Sequence, residues 1–321
     1  MSVLKVCCTA NAVYVNAPCK INIHLRVKEK RPDGFHELES IFAPLAFGDS
    51  LCFELTKKEA AWELLVNQSG EEKSPDTGLS GEKNLVSRAV SLFRRETGFS
   101  QGLCCTLEKR IPLAAGLGGG SSDAASTLLA LNLLSGANLP IQKLLEMAAN
   151  LGSDVPFFLH NRAAYVSGRG ERVEPLPLPL PLIEDFGVLL VKPPFKSDTS
   201  AAFKLLDLHR EKNTPSISTT SELGPEELKN AWIGPPQKWP FFNDFLSLLD
   251  ETKIYQRIIG NLREAGALFS GLSGSGSCCF GIFENREKAG ETERAIRASE
   301  KAQIFTHTTF FLASRADPVL K

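Results

Sequence analysis

The chain has 321 residues, 43% of them hydrophobic and 23% charged, and a formal net charge of −1 at pH 7. That length suits two domains of ordinary size, and the near-neutral balance gives no support to a broad nucleic-acid surface. A local basic group such as Lys28, Lys30 and Arg31 reads as a solvated turn. No apolar run approaches the ~20 residues that cross a bilayer, and neither a signal peptide nor a transit peptide is expected. The expectation is a cytoplasmic protein with no nucleic-acid and no membrane partner. The eight cysteines form neighbouring pairs (Cys7-Cys8, Cys104-Cys105, Cys278-Cys279) plus Cys19 and Cys52, with no C-x-x-C spacing. Neither a zinc site nor a disulfide framework is indicated, and reduced thiols acting as small apolar residues are expected.

Residues 13–27 alternate as strands do, through Val13, Val15, Ile21, Ile23 and Leu25, and Leu103 to Ile111 repeats the two-residue period. A glycine-rich turn follows, then a helix over Asp123–Ser135 with Ser121 or Ser122 as its N-cap and Gly136 as its stop. Pro140 opens the next helix, which ends near Gly152. The alternating run Pro175–Pro181 reads as an extended connection near a domain boundary, and Val188 to Val191 as a strand beyond it. Residues 207–240, rich in Pro, Ser, Thr and Glu, suggest a mobile insertion. Asn243 to Glu264 reads as a helix, followed by a second Gly-Ser turn and a strand at Cys278 to Phe283. Strands and helices alternate without a strict βαβ rhythm, which argues for α+β architecture. The division expected is a domain over 1–183 and a second over 184–321, the latter carrying the polar insertion.

The segment Pro112-Leu113-Ala114-Ala115-Gly116-Leu117-Gly118-Gly119-Gly120-Ser121-Ser122 is the strongest single signal. Four glycines in five positions let the backbone turn tightly and approach a ligand closely. The loop runs into a helix N-terminus, where free N–H groups and the positive dipole end favour phosphate oxygens. Two better-known phosphate loops fail to fit. No lysine lies between 110 and 142, so there is no Gly-Lys-Ser/Thr ending, and Ser121 stands where a dinucleotide fingerprint requires glycine.

Three segments in order, Ala17-Pro18-Cys19-Lys20-Ile21-Asn22-Ile23, the loop just described and Gly271-Leu272-Ser273-Gly274-Ser275-Gly276-Ser277, resemble the three motifs of the GHMP kinases (galactose, homoserine, mevalonate and phosphomevalonate kinases). Arg31-Pro32-Asp33-Gly34-Phe35-His36, Lys109-Arg110-Ile111-Pro112 and Leu151-Gly152-Ser153-Asp154-Val155-Pro156-Phe157-Phe158 resemble the branch whose acceptor is a cytidyl-erythritol small molecule of the non-mevalonate isoprenoid pathway. The resemblance covers most of 14–170 and returns at 186–204 and 243–283. Two departures are Cys19 in place of an alanine and Phe35 in place of a commoner tyrosine, which keeps a stacking face and loses a hydroxyl.

The resemblance implies a two-domain fold with the active site in the cleft between the domains, ATP as co-substrate and Mg²⁺. Asp154 is then the base that takes the acceptor's proton, with Ser153 capping the helix it begins, and Lys20 the cation that attracts the developing alkoxide. Gly116, Gly118, Gly119, Gly120, Ser121 and Ser122 would hold the nucleotide's phosphates, Pro112 and Leu117 would bind ATP beside them, and Asn84 and Lys109 would lie at the adenine and ribose end. Asn22, Phe35, His36 and Phe203 would bind the acceptor: Phe35 and Phe203 as faces for cytosine, His36 to read its edge. No dedicated metal ligand stands out. Asp123 is either the holder of a metal-bound water or an outward-facing helix residue. A monomer or weak homodimer is expected. The competing readings are a homoserine- or mevalonate-type kinase and a non-catalytic nucleotide or sugar sensor on the same fold.

Overall fold

The structure, a computed structural model, describes residues 8–9, 12–68, 81, 83–160, 162–177, 185–212, 223–249, 252–299 and 304–313. Its first half is a sheet of β1 (Cys8–Thr9), β2 (Ala12–Lys30), β3 (His36–Thr56), β4 (Trp62–Gln68), β5 (Gly102–Lys109), β6 (Ala164–Gly168) and β7 (Arg172–Pro175), with helices α1 (Leu85–Thr97), α2 (Gly119–Leu134), α3 (Ile141–Leu151) and α4 (Val155–His160). The strand path is β1-β2-β3-β5-β4, and β6 joins β3 to β7. The second half is an antiparallel sheet in the order β11-β8-β10-β9. It is built from β8 (Gly187–Lys192), β9 (Phe269–Leu272), β10 (Cys279–Phe283) and β11 (Phe305–Thr309), with helices α5 (Thr199–Lys212), α6 (Pro225–Ile233), α7 (Thr252–Glu264) and α8 (Arg286–Ser299).

The alternation of residues 13–27 is one long strand, and that strand organises the molecule. β2 pairs with β3 along its whole length, with register shifts at Pro18/Lys20, Asn22/His24 and Val27/Lys30. Pro18 has no N–H for the ladder, a local reason for the first shift. The strand then threads three cores in turn. Val13, Val15 and Ala17 pack under α1–α4. Cys19, Ile21 and Ile23 meet Val188, Leu190 and Phe280 of the second sheet, and Leu25 and Val27 meet Phe245, Tyr255 and Leu262. The turn from β2 to β3 is the Asp33-Gly34 hairpin, with Gly34 at φ 84° and Phe35 N–H donating to the Asp33 carboxylate.

Four local expectations are corrected. The helix after the glycine loop begins at Gly119, capped by Gly118 at φ 72° with no side-chain cap, so Ser121 and Ser122 lie in its first turn and cap nothing. The glycine reaches the left-handed region freely and ends the loop earlier than a serine cap would. Asn243–Glu264 is not one helix. Asn243 caps a 3₁₀ turn, Asp244–Ser247, and α7 starts at Thr252. Tertiary bonds hold the first part out of helix: Asp244 accepts from Val27 N–H, and Asn243 donates to the Leu272 and Gly274 carbonyls.

The third correction concerns 207–240. Its described parts are helical and packed rather than a mobile insertion: 207–212 completes α5, and Trp232 of α6 is wholly buried and stacked on Trp239 at 5.1 Å. A polar average concealed two large aromatic anchors. Residues 213–222 of this stretch lie outside the described residues, as do 178–184, which hold most of the Pro/Leu run and the expected division at 183/184. Finally, Asp123 does not face outward; it is 3% exposed.

Candidate active site

The loop between β5 and α2 follows from its glycines. Gly116 sits at φ 73°, and a Cβ there would lie 2.1 Å from the Ser273 carbonyl oxygen. At Gly118, also left-handed, a Cβ would lie 2.8 Å from the Phe158 ring and 3.2 Å from Lys20 Cε. Close approach of three segments therefore requires both. Beyond Gly118 the first N–H groups of α2 have no intrahelical acceptor and mark the place for anionic oxygens.

A cleft of about 400 Å³ opens over this helix end, lined from one side by Lys20, Asn22, Asp154 and Gly116–Ser121 and from the other by Thr199, Phe203, Gly274 and Ser275. Lys20 Nζ lies 3.4 Å from Asp154 Oδ2, with side chains 4% and 31% exposed. It also donates to Asn22 Oδ1 at 2.6 Å and stands 4.4 Å over the Phe42 ring. The Lys20 N–H donates to the Leu117 carbonyl at 3.0 Å, tying β2 to the glycine loop. Asp154 immediately precedes α4, after a turn closed by Val155 N–H on the Gly152 carbonyl. Ser273 joins the third segment: it donates to the Gly116 carbonyl at 2.8 Å and accepts from Asn22 N–H at 3.2 Å.

Beneath the loop is a buried ionic cluster that the sequence reading missed. Lys109 Nζ donates to Asp49 and, at 2.8 Å, to Asp123 Oδ2; Asp49 also accepts from the N–H groups of Arg110 and Ile111. Burial pushes the Asp123 carboxyl up to about 7; Lys109 pulls it down, and Asp49 adds to the rise. Burial works against the Lys109 cation, but Asp123 and Asp49 outweigh it and hold its pKa above the ordinary value. Two carboxylates thus share one lysine, and the cluster braces the loop's entry (Arg110, Ile111) and the first turn of α2. No sequence signal marked Asp49, whose partners lie about sixty residues on.

The remaining candidate residues are placed by their neighbours, some at the cleft and some away from it. Lys109 lines the cleft, is 4% exposed and is engaged from below by Asp49 and Asp123. The Asn84 side chain caps α1 by accepting from Val86 N–H at 2.8 Å, and the neighbouring Leu85 lines the cleft instead. Ser122 is wholly buried and its N–H donates to the Gly118 carbonyl, so its neighbour Ser121 is the serine at the cleft. Pro112, Leu117, Gly119 and Gly120 also line it. Phe35 is 48% exposed at the hairpin tip, with the Arg169 guanidinium 5.2 Å from its ring. His36 is buried and stacks on Phe203, centroids 5.1 Å apart, while its Nε2 meets Asp207 Oδ1 at 2.7 Å.

Among the described residues no group of three or more His, Cys, Asp and Glu is placed to hold a metal, and no helix is long and apolar enough to cross a membrane.

Comparisons with known proteins give the family. Residues 84–162 match the family described as GHMP kinases N terminal domain, and 241–302 match GHMP kinases C terminal. The chain is 38% identical over 272 residues to the 4-diphosphocytidyl-2-C-methyl-D-erythritol kinase of Thermodesulfovibrio yellowstonii, covering 84% of this chain and 89% of that one. It is 36% identical to the enzyme of the same name from Chlorobium chlorochromatii, covering 91% and 96%. A crystal structure of 4-(cytidine 5'-diphospho)-2C-methyl-D-erythritol kinase superposes with a TM-score of 0.71 at 32% identity, covering 92% of this chain and 99% of that one. The chain therefore belongs to the 4-diphosphocytidyl-2-C-methyl-D-erythritol kinase family of the GHMP kinases, and it is an ATP-dependent small-molecule kinase.

Proposed function

We propose that this chain transfers the γ-phosphoryl group of ATP to a hydroxyl of 4-diphosphocytidyl-2-C-methyl-D-erythritol, giving the 2-phosphate and ADP, in the non-mevalonate isoprenoid precursor pathway. The observation that carries the reading is the Lys20–Asp154 pair, 3.4 Å apart, in the same cleft as the glycine loop and the N-terminus of α2. The names of the similar kinases supply the acceptor.

In-line transfer needs the acceptor oxygen, the phosphorus and the leaving oxygen aligned, with charge on the equatorial oxygens stabilised. The N–H groups at the start of α2 and the Ser121 hydroxyl hold phosphate oxygens. Asp154, the more exposed of the pair, takes the proton of the acceptor hydroxyl. Lys20, held by Asn22 and Phe42, faces the oxygen that gains charge. A magnesium ion would be held mainly by the nucleotide's phosphates and by water, with the Ser121 hydroxyl at the cleft as a protein oxygen, which leaves Asp154 free to act as the base. When bound it would neutralise phosphate charge. Cytosine is read at the hairpin and α5, by Phe35, His36 and Phe203. The chain works as two lobes, 1–183 and 184–321, in the cytoplasm on a freely diffusing substrate, as a monomer or weak homodimer.

The test is ADP release with Mg-ATP and 4-diphosphocytidyl-2-C-methyl-D-erythritol, run beside homoserine, mevalonate and galactose. Turnover confined to the cytidyl substrate is expected. Preference for another acceptor would keep the kinase chemistry and discard the cytosine reading, and silence with all four would overturn the activity.

A further inference from the structure

His36 carries two ring nitrogens of opposite hydrogen-bonding character when neutral, and which one bears the proton decides what its free edge can recognise. In this chain one nitrogen is committed. Nε2 lies 2.7 Å from Asp207 Oδ1, while Asp207 Oδ2 accepts from Lys30 Nζ at 2.6 Å. Burial works to raise the Asp207 carboxyl, but the hydrogen bonds from Lys30 and His36 outweigh it and hold it below the usual carboxylate range. A carboxylate only accepts, so the proton of a neutral His36 belongs on Nε2 and Nδ1 is left as a bare acceptor. Phe203, one turn before Asp207 on α5, stacks on the same imidazole at 25° and stops it from turning over. The ring's tautomer and its plane are thus both set by one helix.

We propose that Asp207 is a specificity-determining positioning residue: by holding the proton of His36 on Nε2 it presents Nδ1 as an acceptor, which selects a pyrimidine bearing an exocyclic amine over one bearing a carbonyl. This rests on His36 reading the base, as given under Proposed function. Cytosine offers its N4 amine, a donor, whereas uracil offers O4, an acceptor that Nδ1 repels. Lys30, whose basic neighbourhood looked like a plain solvated turn, anchors Asp207 across 177 residues of sequence.

Two measurements at pH 8, above the ordinary imidazole range, test this. The first needs no substrate. Nitrogen-15 spectra of histidine-labelled protein should show the His36 ring, assigned among the five histidines with a His36→Gln variant, protonated on Nε2 and bare on Nδ1. Protonation at Nδ1, or a mixture of tautomers, would overturn the proposal. The second compares kcat/KM for the cytidyl substrate and its uridyl analogue. The unmodified enzyme should prefer the cytidyl form. Asp207→Asn, whose amide can donate as well as accept, should shrink that ratio by about tenfold or more, through KM more than kcat, and Asp207→Glu should restore it in part. A structural role alone would raise both KM values together and leave the ratio intact, which would also overturn it. If the unmodified enzyme accepts both substrates equally, the base-reading role of His36 fails first; if it discriminates and Asp207→Asn discriminates equally, only the role of Asp207 fails.

Discussion

Two loops of nearly the same lettering, Gly116–Ser122 and Gly271–Ser277, lie against one another in this molecule and serve different ends. The first runs from β5 into a 16-residue helix, so the N–H groups just ahead of Ser122, in the helix's opening turn, have no intrahelical partner and lie at the cleft. The second joins two antiparallel strands, closed on itself by Ser273 N–H on the Cys278 carbonyl and Gly276 N–H on the Ser273 carbonyl. Its serine hydroxyls go to protein: Ser273 to the Gly116 carbonyl and Ser277 to the Phe195 carbonyl. The first loop lines one wall of the cleft and runs on into a helix, while the second braces the first and lends Gly274 and Ser275 to the opposite wall. The element that follows a Gly-Ser turn decides which of these parts it takes.

The largest expected effect lies where the ligand-facing loop meets chemistry. Lys20→Ala or Asp154→Ala should lower kcat by about two to four orders of magnitude with circular dichroism unchanged. Near-normal turnover in either would mean that the cleft over the first loop is not the reacting one. Next comes the contact between the loops. Gly116→Ala places a Cβ 2.1 Å from the Ser273 oxygen at a left-handed φ of 73°. A loss of about 3 kcal/mol or more in a denaturant titration is expected. An alanine tolerated there would show that the loops do not lean on each other.

A serine from each loop sharpens the contrast. Ser273→Ala removes a buried bond to Gly116 and should cost about 1–3 kcal/mol of stability, whereas Ser121→Ala should move stability by less than about 0.5 kcal/mol while raising the KM for ATP about tenfold. Equal behaviour of the two would dissolve the distinction. The smallest effect is a slope. Asp123 titrates near 7 when folded against an ordinary value of 3.8, so the folded chain holds the proton more tightly. Stability should therefore fall as pH rises from about 4 to 7, by no more than about 1.4 kcal/mol per pH unit, and Asp123→Asn should flatten that dependence. An unchanged slope in thermal melts would mean that the floor of the first loop does not titrate in this range.

The parts of the site that could be read in advance are those set by neighbours in the chain. Glycine spacing before a helix, a lysine within an alternating strand and an Asp-Gly hairpin each carry their geometry within a few residues. The misreadings share a cause. Ser122 resembled a cap, but Gly118 could enter the left-handed region one position before the helix and made the cap itself. Asn243 looked like the start of a helix until its amide found two carbonyls of the opposite loop. The 207–240 stretch looked uniformly polar because Trp232 and Trp239 are diluted in it, although stacked and packed in the folded chain.

By itself the order of residues determined the α+β class, the glycine-rich turn before α2, the candidacy of Lys20 and Asp154, and the family. These depend on short-range backbone freedom and on hydrophobic period, both written locally. Only the tertiary structure decided that Asp49 and Asp123 share Lys109, that Ser273 supports Gly116, and that Asp207 sets the His36 ring. Each of these is a polar contact that becomes strong only once water is excluded around it, and its partners come from strands and helices that packing alone brings together.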